Sequence, residues 1–214
     1  MLKASSIILT ALCLTITANS NTFAGVEVGL SIDSDGIKSF HLAIGEHYQI
    51  PEKEVVAVRK KSLSDEELVV VFFLAEHANV KAGVILNLRS KGKSWWEITH
   101  YFGLNPDIFF LALKTNPGPP YGKAYGHFKK AKKHRWKNIS LADVDIVNCV
   151  NLRFVTQRHG YSPDEVIRLR HQGHKFARIN AHAKHQMKEK RKHKQMSKAS
   201  GHQKPHKGKG KKKK

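Results

Sequence analysis

Residues 54–68 read EVVAVRKKSLSDEEL, residues 84–98 read VILNLRSKGKSWWEI and residues 165–179 read EVIRLRHQGHKFARI. Laid on Arg59, Arg89 and Arg170, the three stretches share apolar pairs four and three residues before the arginine: Val55 and Val56, Ile85 and Leu86, Val166 and Ile167. Val58, Leu88 and Leu169 stand directly before it, Ser62, Gly92 and Gly173 three residues after it, and Leu68, Ile98 and Ile179 nine after it. Apolar residues at three-to-four intervals, interrupted once by Ser or Gly, describe a short amphipathic helix, a tight turn and a second helix. The pattern predicts an αα-hairpin repeated three times. The intervals between copies are too irregular for a solenoid, so the expected fold is mainly α, a compact helical domain of repeated αα-hairpins. An anionic partner would suit the three arginines. A cation that closes a helix, however, already meets the helix dipole and the last carbonyls.

Working outward, helical spacing also runs through SDEELVVVFFLAEHA, SWWEITHYFG, PDIFFLAL and LADVDIVNCVNLRFVTQRHG. Ser64 with Glu67, Ser94 with Glu97 and Ser162 with Glu165 have the capping-box spacing, and Pro51 and Pro163 suit a first helical turn. Before residue 51 the period changes. Val26, Val28, Leu30 and Ile32 alternate with polar or glycine positions, Asp33 to Gly36 supply turn chemistry, and Ile37, Phe40, Leu42 and Ile44 follow, which predicts a β-hairpin over 25–50.

Residues 1–24 carry one early cation, Lys3, an apolar run from Ile7 to Ala18 and small residues at Thr22 and Ala24, the three-part pattern of an export signal cleaved after Ala24. The run is shorter than the ~20 residues a membrane span needs, so no transmembrane anchor is expected. Cys13 follows Leu12, which does not fit a lipoprotein anchor. Cys149 then stands alone in an apolar run, as a buried thiol without a disulfide partner.

The chain carries a net charge of +21. Residues 171–214 hold fourteen Lys, two Arg and one acid, Glu189, which accounts for +15 of it. From residue 189 onward aromatic and aliphatic anchors are scarce, so a disordered, Lys/His-rich tail is expected over 189–214. The second basic block lies in the insert at 115–138, where NPGPPYGKAYGHFKKAKKHRW interleaves rings with cations. Cations neutralise phosphates or carboxylates while flat rings stack on bases or sugar faces. Tyr121, Lys123, Tyr125, Lys129, Lys130, Lys132, Lys133, Arg135 and Trp136 are therefore the candidate contacts for an anionic polymer: lipopolysaccharide, acidic polysaccharide or extracellular nucleic acid. The alternative is a loop whose Tyr121, Tyr125 and Phe128 tuck under the helices while the lysines face water.

Half of the 14 histidines lie from His171 onward, and His182 with His185 are spaced i and i+3 to share a Zn or Cu ion. A periplasmic metal-binding role is the second function class. The surrounding lysines oppose it, and no cofactor is otherwise implied. The sequence contains no HExxH, GxSxG, GxGxxG or P-loop, and a non-enzymatic protein is expected. Asp143, Asp145, Glu165 and Glu97 are acids whose capping positions explain several of them.

Ser94, Glu97, Ile98, Phe102, Gly103, Leu104 and Ile108 resemble the helix-turn-helix pattern of DNA-binding proteins over residues 94–114, with Gly103 in the turn and Pro106 to Lys114 as the recognition helix. PDIFFLALK offers few groups to base edges, so this nucleic-acid reading stands only if the export signal fails. Taken together, ELVVVFFLAEHA, LRSKGKSWWEITHYFGL, GPPYGKAYGHF and SPDEVIRLR resemble a group of exported bacterial proteins without an assigned role. That resemblance implies export to the periplasm or beyond and a helical body, and it carries no site residues. The expected organisation is a signal over 1–24, the β-hairpin over 25–50, a helical domain over 51–188 and the basic tail.

Overall fold

A computed structural model describes residues 34–61 and 63–200. The expected signal over 1–24 and the end of the basic tail, residues 201–214, lie outside the described residues, as do 25–33. Among the described residues the chain is mainly α: nine α-helices, two 3-10 helices and no strand. The α-helices are α1 (Ser34–Tyr48), α2 (Glu52–Arg59), α3 (Asp65–Ala78), α4 (Ala82–Ser90), α5 (Trp95–Tyr101), α6 (Gly122–Lys130), α7 (Asp143–His159), α8 (Pro163–His171) and α9 (Phe176–Ser200). The 3-10 helices are Pro106–Phe109 and Lys133–Asn138.

α3 is the centre. Residues 68 to 75 are all buried, because LVVVFFLA is apolar around the whole helix and has to be covered on every side. α7 lies against it, with α4, α1, α2 and α9 closing the remaining faces. Capping boxes form at Ser64 with Glu67 and at Ser94 with Glu97, while at Ser162 the side chain accepts from the Glu165 N–H without the reciprocal bond. Each satisfies backbone donors that the first helical turn leaves open.

The three expected hairpins are present as α2 with α3, α4 with α5, and α8 with α9. The second and third turn through Gly92 and Gly173, whose φ angles of 82° and 83° fall in the left-handed region.

Three expectations are corrected. The part of the β-hairpin within the described residues, from Ser34 on, is the helix α1. Phe40, Ala43 and Ile44 are buried on one side of it, and Ile37, Phe40, Ile44 and Tyr48 follow three-to-four spacing, so the polar Ser34 and Asp35 open a helix rather than turn a hairpin. The recognition helix of the helix-turn-helix pattern is absent. Only Pro106–Phe109 coils, as one 3-10 turn capped by the Asn105 side chain, and Arg153 Nη2 then donates to the Phe110 carbonyl at 2.6 Å. That tertiary bond takes an oxygen a continuing helix would have used. Finally, α9 extends to Ser200, through residues expected to lack order. KEKRKHKQMSKAS is made almost wholly of good helix formers and meets no glycine until Gly201.

Candidate functional site

The repeated arginines converge on one place, the first turn of α3, where three acids stand in a row. Arg59 Nε donates to Asp65 at 2.8 Å, Arg89 Nη2 to Glu67 at 2.9 Å, and Arg170 Nη1 approaches Glu66 at 3.5 Å. Each copy of the hairpin supplies one arginine to one of three consecutive carboxylates. Arg89 also donates to Asp143 at 2.6 Å and to the Lys93 carbonyl at 3.0 Å, and Arg170 donates to the His174 carbonyl at 3.0 Å. Both guanidinium carbons sit 4.3 Å from an aromatic centroid, Arg89 over Trp95 and Arg170 over Phe176. These arginines hold the hairpins together and have little left to offer a ligand.

The ring six residues after the arginine is a feature that reading the sequence missed. Trp95 and Phe176 occupy equivalent places, and Asp65 replaces the ring in the first copy. The signal was present, but it is shared by two copies only.

The acids that a dispersed catalytic site would need are likewise occupied. Asp143 accepts from Arg89 and from the Trp95 N–H, Asp145 accepts from the Ala142 N–H, Glu97 binds Lys93 and the Ser94 N–H, and Glu165 lies in the capped first turn of α8. Burial pushes the Cys149 thiol up to about 12, which leaves almost no nucleophilic thiolate at neutral pH.

Within the insert, residues expected to form a loop fold as α6 and the second 3-10 helix. Tyr121 is 2% exposed and Phe128 is buried. Burial holds the Tyr121 phenol well above its ordinary range. Tyr125 stacks on Phe110 and directs its hydroxyl to the Leu113 carbonyl at 3.4 Å. Trp136 packs against Phe110 and Phe128 with centroids 4.7 and 5.1 Å apart, and its indole N–H donates to the carbonyls of Phe128 and Ala131. The rings thus form a small aromatic core that fixes α6, with Tyr121 buried in it and Tyr125 and Trp136 half-buried.

The cations point the other way. Lys123, Lys129, Lys130, Lys132, Lys133, Arg135 and Lys137 are all exposed, and none forms an ion pair among the described residues. Inward rings and outward cations result from one helical period: Tyr121, Ala124, Tyr125 and Phe128 share a face, Lys123 and Lys130 lie opposite, and Lys129 lies on the flank.

His182 and His185 lie one turn apart on α9, and His182 Nδ1 meets the Tyr161 hydroxyl at 3.4 Å. Among the described residues no three His, Cys, Asp or Glu side chains gather where they could hold a metal ion. No single described helix is long and apolar enough to cross a membrane. No protein-family model, no curated protein and no solved structure matches the chain.

Proposed function

We propose that this is an exported, non-enzymatic protein that adheres to an anionic polymer of the cell envelope or its surroundings, such as lipopolysaccharide, acidic polysaccharide or extracellular nucleic acid. The observation that carries the reading is the set of seven exposed cations over 123–137, none engaged by a carboxylate among the described residues, on a segment held in place by its own aromatic core. The basic helix α9 and the lysines after it add a second, sequence-independent attraction. Binding of this kind proceeds by neutralising charges and releasing counterions.

The test is retention on heparin and on lipopolysaccharide across a salt series. Replacing Lys129, Lys130, Lys132 and Lys133 by Gln should flatten the dependence of log affinity on log salt by about 3 to 4 where DNA is the ligand. Ending the chain at Ser200 should weaken retention further and leave α9 in place. Retention unchanged in both variants would overturn the reading.

A further inference from the structure

We infer that the groove between α1, α7 and α9 binds one anionic lipid molecule, its acyl chain on the groove floor and its phosphate among the lysines of α9. The groove, about 600 Å³, opens between α1, α7 and α9. Ala43 lies on its floor, and Leu42 and Met187 flank it at 38% and 39% exposed, two of the few large apolar side chains left in solvent among the described residues.

The polar groups that line the groove are mostly engaged with one another. Arg158 pairs with Glu46, and His159 meets the Asn180 side chain at 2.8 Å. What remains for a ligand is an apolar floor and three cations, Lys184, Lys188 and Lys192. These lysines are four residues apart on α9 and therefore lie on one face, where like charges at that spacing repel. Lys192 has Glu189 at 3.1 Å and Lys184 has only the Ser39 hydroxyl at 3.5 Å, while Lys188 has no partner among the described residues. Counting Arg158 against Glu46 and Lys192 against Glu189, the groove has an excess of two positive charges, Lys184 and Lys188, beside an apolar trough. A polymer with charge alone would leave the floor uncovered. A molecule with a hydrocarbon chain and a phosphate matches both halves.

The insert packs on the Pro106–Phe109 segment and contributes nothing to this groove; the lysines of α9 also serve the polymer reading, so the apolar half of the groove is what sets the inference apart from it. The probe is lysophosphatidylglycerol below its micelle concentration, with lysophosphatidylcholine and heparin as comparisons. Combining Leu42→Asn with Met187→Asn removes apolar surface at two solvent-facing sites. It should weaken lysophosphatidylglycerol binding at least about tenfold with heparin retention unchanged. Lys184→Gln with Lys188→Gln should weaken the same probe and bring its affinity close to that for lysophosphatidylcholine.

Unchanged affinity in the apolar variant, equal wild-type affinity for the zwitterionic lipid, or a matching loss of heparin retention in the apolar variant would each overturn the inference, the last assigning the groove to the polymer. Should the apolar variant fail to fold, a photoreactive acyl chain on the wild type decides. Labelling of peptides that contain Leu42 or Met187 supports the groove, and labelling elsewhere overturns it.

Discussion

Arg89 touches two carboxylates, a carbonyl and an indole, whereas Arg59 has one carboxylate and a more exposed side chain. Arg89→Ala leaves Glu67 and Asp143 without their cation and should cost about 2 to 3 kcal/mol in urea denaturation. Arg59→Ala should cost less than about 1 kcal/mol, because its pair is screened by solvent. The same residues govern the acid limit of stability. Burial opposes ionisation of Asp65 and Glu67, but the bonds from His41 and Arg59 to Asp65, and from Ser64 and Arg89 to Glu67, outweigh it and hold both carboxyls below their ordinary range. A depressed carboxylate contributes stability that is complete above its unfolded pKa, about 4, and is lost as pH falls through the folded value. Burial also depresses His47 and His159, so a first decline begins as pH drops below about 6.5, where the unfolded imidazoles take up protons. Thermal melts from pH 8 to 3 should show both steps, and Arg89→Ala should shrink the lower one. A single decline, unaltered in the variant, would remove the pairs from this role.

At the scale of elements, Gly92 and Gly173 occupy the same left-handed turn in two hairpins, and a Cβ at either would meet no atom within 4 Å. Gly92→Ala and Gly173→Ala should each cost about 1 kcal/mol through backbone conformation alone. Being in separate turns, they should add in the double variant, as denaturant midpoints can show. These hairpins were legible in the sequence because helical period, small turn residue and cap all pointed the same way. α1 was not, because alternation at Val26 to Ile32 suggested a strand and Asp33 to Gly36 serve equally as a turn or a helix start. The 106–114 segment was misread for another reason: its helical spacing is real, but Phe110 turns away to join Tyr125, Phe128 and Trp136, a tertiary preference that no local pattern records. The insert was half legible. Its cations were identified as exposed candidates, while which way its rings faced depended on α6, which the glycines and prolines concealed.

For the whole molecule, the acids 65–67 form a hub on which hairpins from both ends of the chain close. Arg59 reaches it from six residues away and Arg89 from 22, but Arg170 from 104. α9, which follows that last arginine, covers α1, α7 and α3. Contacts of such separation have to await synthesis of both partners, and closing so long a loop comes late in folding. A chain ended at Gly160 should accordingly show no cooperative melt and be digested rapidly, despite holding two of the three hairpins; a protease-resistant fragment of that length would refute the assignment. Until Arg170 and the helix behind it have been made, the nascent polypeptide lacks the contacts that close its core, a state that would suit passage through a narrow pore if the export proposed above takes place.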